Sequence, residues 1–316
     1  MRRPRLWAAT GLAVGLVLCG CGSGSQDATA TAGPLRWAPP ALNDPVEVDL
    51  GDGFTETHLE PTQDAVINLP DTVKRGGVTI DGGHNVVLIG GAIAIPPGTE
   101  PGVANDAQRR GIYIREATGT VHIEGVLIGG AGRTEFDGID INAPRATVQI
   151  ENVRVRGVRG GYDAFHGDVV QPFGGVKDLR IDRLSASSNY QGLTLKEDLG
   201  PIGSAEISNV DLTGTTEAPL DQGGYLLWLT AGSDTCSAFP TRLANVYLQP
   251  RPGRGLGRSV WPGRGSGLPC AARGGATVAW PRLPVRGTVR KGVPKGGSFV
   301  PFASVGTAYR SPGYAP

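Results

Sequence analysis

Apolar and polar residues alternate over short segments of this chain, and each segment breaks at an Asn or a Gly before the alternation resumes. Val148 and Ile150 take one side, followed after Asn152 by Val153 and Val155, while Gln149, Glu151, Arg154 and Arg156 take the other. A period of two over so few residues predicts short strands with one buried face. No segment within these repeats carries a sustained helical period. β-Branched residues fill the apolar positions, as a pleated surface favours.

The break recurs along the chain. It reads Asn85-Val86-Val87-Leu88, Asn152-Val153-Arg154-Val155, Asn209-Val210-Asp211-Leu212 and Asn245-Val246-Tyr247-Leu248, with degenerate copies at Gly125 and Arg183. The intervals are 40, 27, 31, 26 and 36 residues, which describes a solenoid with loops of variable length. In three units the first strand begins 14 residues before the corner: Gly111 with Gly125, Gly138 with Asn152, and Val169 with Arg183. Asn and Gly suit such a corner because both tolerate positive φ, and Asn side chains stacked on successive coils can bond to one another. The pattern predicts an all-β fold, a right-handed parallel β-helix of about six to seven coils with an irregular C-terminal cap, neighbouring coils lying about 4.8 Å apart.

The two ends read differently. Arg2, Arg3 and Arg5 precede the apolar run Leu6 to Leu18, which is short for a bilayer span. The following Leu18-Cys19-Gly20-Cys21 is similar to a bacterial lipobox, with Cys21 as the lipidated residue because Gly20 supplies the small residue before it. This divides the chain into a lipoprotein signal peptide at 1–20, a flexible tether at 21–36, the β-helix at 37–250 and a Gly/Pro-rich segment at 251–316. The expected location is extracytoplasmic, with a lipid anchor as the one membrane attachment. In that oxidising setting the remaining pair, Cys236 and Cys270, is expected to form a disulfide.

A net charge of +1 conceals an asymmetry: from Arg251 onward there are eleven Lys or Arg and no acid. For an exported protein this suggests an anionic polysaccharide rather than nucleic acid as partner. Trp261, Trp280, Phe299 and Phe302 make the segment too apolar for a free tail, so it is expected to fold back over the acidic helix. The protein is expected to be a monomer.

Aligning the coils on their corners stacks side chains of the first strands. One column reads Arg110, Asp137, Asp168 and Gln191; the next reads Tyr113, Asp140, Gln171 and Thr194, followed by Arg115, Asn142, Phe173 and Lys196. Asp137 and Asp168 on adjacent coils would repel unless one is protonated or a cation such as Ca²⁺ or an arginine lies between them. The segment Tyr162-Asp163-Ala164-Phe165-His166-Gly167-Asp168-Val169-Val170-Gln171 is the densest chemical cluster in the chain.

The region from about residue 60 to 250 resembles the pectate-lyase-like superfamily of β-helices, whose carbohydrate enzymes place their cleft beside the first parallel sheet. Asp137-Gly138-Ile139-Asp140 is similar to the core of the polygalacturonase motif, although Glu135-Phe136 stands where that motif carries Asn-Thr. His166-Gly167-Asp168-Val169-Val170-Gln171 with Tyr190-Gln191-Gly192 resembles exported bacterial β-helix proteins. The resemblance implies a polysaccharide lyase-like or epimerase-like reaction on an acidic glycan. His166 or Lys196 would be the base and Tyr190 or Tyr162 the acid; Arg110, Arg115 or Ca²⁺ held by Asp137 and Asp168 would neutralise the substrate carboxylate. Tyr113, Gln171 and Gln191 would complete the sugar-binding surface. Two alternatives stand beside it: a hydrolase using Asp137, Asp140 and Asp168, and a non-catalytic adhesin or glycan-binding envelope protein.

Overall fold

The computed structural model describes residues 34–97, 106–216 and 224–314. The signal segment, Cys21 and parts of two loops ahead of the first strands lie outside the described residues.

The chain winds through three parallel ladders. The first stacks Thr55–Leu59, Val78–Gly82, Arg110–Arg115, the start of Asp137–Val158, the start of Val170–Ser188, Leu193–Thr194, Leu227–Trp228 and Val260–Trp261. In the second, Val46, Ala65, Val86, Val121, Val148, Leu179, Ala205, Thr241 and Val285 are successive register partners. The third runs from Lys74–Arg75 through Ala92–Ile95 and Leu127–Gly130 to residues 289–291. The chain is an all-β parallel helix, and its second ladder holds more strands than the expected six or seven coils. The additional rungs come from Val46–Asp49 at one end and Val285–Lys291 at the other, neither of which is followed by the Asn or Gly corner phrase.

The corner between the second and third ladders explains the recurring residue. Gly90, Gly125, Asn152, Arg183, Asn209 and Asn245 occupy it with φ of 70°, 69°, 52°, 55°, 51° and 53°. Asn85 was expected there and is not: it precedes the second-ladder strand Val86–Ile89, and Gly90 turns that coil. The phrase Asn-apolar-any-apolar fits any strand with an Asn before it, so the motif alone does not distinguish the corner. Side chains stack as expected, with Asn245 Nδ2 donating to Asn209 Oδ1 at 3.0 Å and Asn209 Nδ2 to Asp182 Oδ1 at 2.7 Å.

Inward residues form one continuous apolar column, in which Ile112, Ile139, Val170, Leu193, Leu227 and Val260 line the first ladder and are wholly buried. Each contributes about 1.5–3 kcal/mol by leaving water. At the N-terminal end the buried Lys74 ammonium donates to the Gly51 and Gly53 carbonyls and the Thr55 hydroxyl, tying down the 51–55 loop.

Two terminal segments lie on the second and third ladders. The amides of Arg36 and Trp37 donate to the Glu151 carboxylate at 2.7 and 2.8 Å, and the Asn43 amide donates to Asp64 Oδ2 at 2.7 Å. From the other end, the Phe299 amide donates to Asp211 Oδ1 at 2.8 Å and the Val300 amide to Ser185 Oγ at 2.9 Å. Farther along, Gly306 bridges Gly91 and Gly125, and the Tyr309 hydroxyl donates to Glu124. Gln149 and Glu151 therefore point outward and are still buried.

Candidate functional site

The first ladder brings the sequence-predicted columns together. Arg110 is the register partner of Asp137, Tyr113 of Asp140, and Asp140 of Gln171. One alignment fails: Asn142 is opposite Gly175, because a register shift follows Asp140, and Phe173 projects into solvent. Phe173 therefore leaves the column with Arg115 and Lys196.

Gly138 and Gly167 allow close approach here. The Gly138 amide donates to the Asp168 carbonyl at 2.8 Å, and a Cβ on Gly167 would collide with the Arg159 carbonyl. This contact sets the His166-Gly167-Asp168 turn against the helix, with His166 outside and Asp168 inside. Asn189 fastens the same loop by exchanging hydrogen bonds with the backbone of Gly160.

The three carboxylates point outward from the ladder but are buried, Asp140 and Asp168 completely and Asp137 to within 3%. Asp137 Oδ1 accepts the Asp168 amide at 2.8 Å. Asp140 pairs with Arg110, whose Nε lies 4.0 Å from Asp137 Oδ2, and the Thr194 hydroxyl donates to Asp168. Burial pushes Asp137 well above the ordinary carboxylate range, and the charges of Asp140 and Asp168 push it further. Burial also raises Asp168 well above that range, against the opposing effects of the Thr194 hydrogen bond and the Lys196 charge. Asp140 is raised by burial and held back by Arg110. The pattern is that of Asp137 keeping its proton while Asp140 is the ionised partner of Arg110.

Asp140 Oδ1 and Asp168 Oδ2 are buried without a hydrogen-bond partner among the described residues. Such an oxygen costs about 1–3 kcal/mol and marks a functional candidate. The donor set nevertheless suits Ca²⁺ poorly, since that ion takes about six to eight oxygens. Here one oxygen is committed to the Asp168 amide, one to Arg110 and one to Thr194. Among the described residues, the three-ligand group whose atoms lie within 4.8 Å of one another is Glu56, His58 and Asp81, on the first coils. There Arg115 already pairs with Asp81 at 3.0 and 3.1 Å and with Glu56 at 3.4 Å. Arg115 thus belongs to this N-terminal cluster and not to the Asp137 group.

His166 is exposed. Its Nε2 is 2.9 Å from the Tyr162 carbonyl, and its ring lies 6.3 Å from Tyr162 and 5.6 Å from Tyr190. Tyr162 is 59% exposed, whereas Tyr190 is buried beneath the loop. Gln191 is also buried, its side-chain amide 2.7 Å from the Thr194 hydroxyl oxygen. Gln171 is half-buried. Lys196 pairs with Asp198 at 3.3 Å and stands 5.0 Å from the Trp228 ring.

Two groups escaped sequence reasoning. Arg109 is fully buried, with Nη2 on Glu135 at 2.8 Å and its guanidinium 3.7 Å over the Phe165 ring, so it pins the 159–167 loop over the acids. Trp228 and Trp261 continue the Thr194 column onto the next two rungs. Their strands are two residues long, too short for a period-two signal. Cys236 and Cys270 are joined by a disulfide, as expected, with Cα atoms 5.8 Å apart.

No protein-family model matches this chain, and no curated protein or solved structure is similar to it at a significant level. Among the described residues, no helix is long and apolar enough to cross a membrane.

Proposed function

We propose that this is an exported, lipid-anchored, monomeric β-helix protein that binds an acidic polysaccharide along its first ladder and acts on it as a lyase-like or epimerase-like enzyme of the pectate-lyase-like kind. The observation that carries the reading is the division of the site: accessible bases and rings outside, carboxylates sealed beneath. His166 beside the exposed Tyr162, and Lys196 beside Trp228, can reach a bound chain. Asp137, Asp140 and Asp168 are buried and committed to Arg110, Thr194 and a backbone amide.

A hydrolase needs two carboxyl groups facing the scissile bond, and these acids do not present such a pair. In the lyase-like reading, His166 or Lys196 removes the proton next to a uronate carboxylate and Tyr162 donates to the leaving oxygen. Where His166 is the base, Lys196 supplies positive charge to the substrate carboxylate, and half-buried Arg110 remains with Asp140. The basic signal segment with Cys21 supports export, as does a disulfide in the folded domain. The decisive experiment incubates the soluble domain, residues 34–316, with acidic and neutral polysaccharides, following ultraviolet absorbance of unsaturated products and new reducing ends. Absorbance with reducing ends is expected; reducing ends alone would replace the lyase with a hydrolase.

A second reading is a non-catalytic glycan-binding protein. It is favoured by the hydrogen bond from the Asp168 amide to Asp137, which makes that acid a coil-to-coil staple. Binding with no absorbance, no new reducing ends and no change in the stereochemistry of the uronate residues would select it.

A further inference from the structure

Resting on the glycan reading, we infer that Trp228 and Trp261, with Lys196, form a subsite for a hexuronate residue, held in shape by the Cys236–Cys270 disulfide. Thr194, Trp228 and Trp261 are register partners on three successive rungs, about 4.8 Å apart along the helix axis. They occupy the outward positions of strands whose alternate residues, Leu193, Leu227, Leu229 and Val260, fill the core. The two indoles lie 5.5 Å apart at 39°, and Tyr225 stands edge-on to Trp228 at 5.2 Å and 85°. All three rings are half-buried. Trp228 is fixed by its Nε1 hydrogen bond to the Thr230 carbonyl at 2.9 Å.

The chemistry selects the ligand. Fixed aromatic faces bind the C–H face of a pyranose, and they cost little ordering entropy because the rings are already held. Lys196 adds a cation 5.0 Å from the Trp228 ring. Its partner Asp198 is exposed, and such a solvent-facing ion pair holds only about 0–1 kcal/mol, so a sugar carboxylate can replace it. A neutral hexose would gain the stacking and leave Lys196 with Asp198. A hexuronate gains both, which gives the subsite its preference for charge.

The disulfide acts on this platform because of where the two strands lead. Leu227–Trp228 runs on into the 231–238 loop carrying Cys236, and Val260–Trp261 runs through Pro262 towards Cys270. The Pro262 carbonyl is fixed by the Ala272 amide at 3.0 Å and by Trp280 Nε1 at 2.9 Å. The bridge therefore joins the exits of both aromatic rungs and reinforces the ladder pairing that sets one ring against the other.

Calorimetric titration of the soluble domain with oligogalacturonate, and with a neutral galactose oligomer of the same length, tests the assignment. The wild type is expected to prefer the acidic ligand. Trp261→Ala should weaken acidic binding by about tenfold or more, as loss of a central aromatic contact does. Lys196→Gln should remove the preference for the acidic ligand while binding of the neutral oligomer is retained. Reduction of the disulfide should weaken both. Should Trp261→Ala fail to fold, Trp261→Phe with Lys196→Gln keeps the question open to measurement. Wild-type affinity in Trp261→Ala, or an acidic preference surviving in Lys196→Gln, overturns the subsite while leaving glycan binding in place. Failure of the wild type to bind either oligomer, or displacement of the acidic one by a single-stranded oligonucleotide, overturns the hexuronate assignment, and the former removes the glycan reading with it.

Discussion

Asp137 on one rung accepts the backbone amide of Asp168 on the next at 2.8 Å, so two residues 31 apart in the chain are joined by a bond that a neutral side chain could also make. Asp137→Asn keeps an oxygen for that amide and is expected to cost under about 1 kcal/mol, whereas Asp137→Ala leaves a buried N–H unpaired and should cost about 1–3 kcal/mol. Urea unfolding of both variants checks this. Equal losses would show that the carboxylate charge, and not the acceptor oxygen, holds the rung.

The buried acids also set a pH dependence. Burial raises Glu151 from 4.5 to about 6, and Asp137 and Asp168 well above 3.8. Below their unfolded values both states hold the protons. Above them the unfolded chain releases protons that the folded protein keeps, so this contribution to stability is lost as pH rises through the folded values. For Glu151 the window is pH 4.5 to about 6. Unfolding followed across that window should show a shallower decline in Glu151→Gln than in the wild type; parallel curves would reject the assignment.

Arg183 holds the corner at φ 55°, where its neighbours are Asn or Gly. Among the described residues its side chain makes a 3.4 Å contact to the Pro34 carbonyl and a 3.7 Å approach to Asp182. A left-handed backbone costs an ordinary residue about 1–2 kcal/mol. Arg183→Asn should therefore stabilise the protein by about 1 kcal/mol, read as a higher urea midpoint. A lower midpoint would show that the arginine contacts outweigh the strain.

Tyr309 fastens the C-terminal segment by donating to Glu124 and accepting from Asn152 Nδ2 at 3.2 Å. Its removal as Tyr309→Phe leaves a buried carboxylate oxygen short of a donor and should cost about 1–3 kcal/mol. The tail beyond Val300 should then be cut faster by protease. An unchanged cleavage rate would mean that Phe299, Val300 and Gly306 hold the segment without it.

His166 lies outside the core, so His166→Gln should change stability by no more than about 0.5 kcal/mol. As a general base its loss should slow turnover by about 10²–10⁴-fold. Retained turnover would transfer the base role to Lys196.

The residues themselves determined the repeat and most of its alignment. Alternation marks which side of a strand each residue faces, and Asn or Gly marks the left-handed corner, because both are local properties of the backbone. The 14-residue offset from first strand to corner was enough to bring Arg110 beside Asp137 and Asp140 beside Gln171. It could not place Phe173, which a bulge displaced, or separate Asn85 from the true corner at Gly90.

What covers an outward face is a non-local matter, and only the tertiary structure decided it. Asp137, Asp140 and Asp168 point outward by pattern but are sealed, while Gln149 and Glu151 carry the same outward signature and are also buried. Arg109 over Phe165 and Trp228 beside Trp261 are joined across 56 and 33 residues. No period relates such partners, because their meeting depends on loop lengths and on how many residues each coil consumes. A solenoid's sequence thus records the direction of each side chain, and its winding decides which of them meet solvent, a carboxylate or a ring.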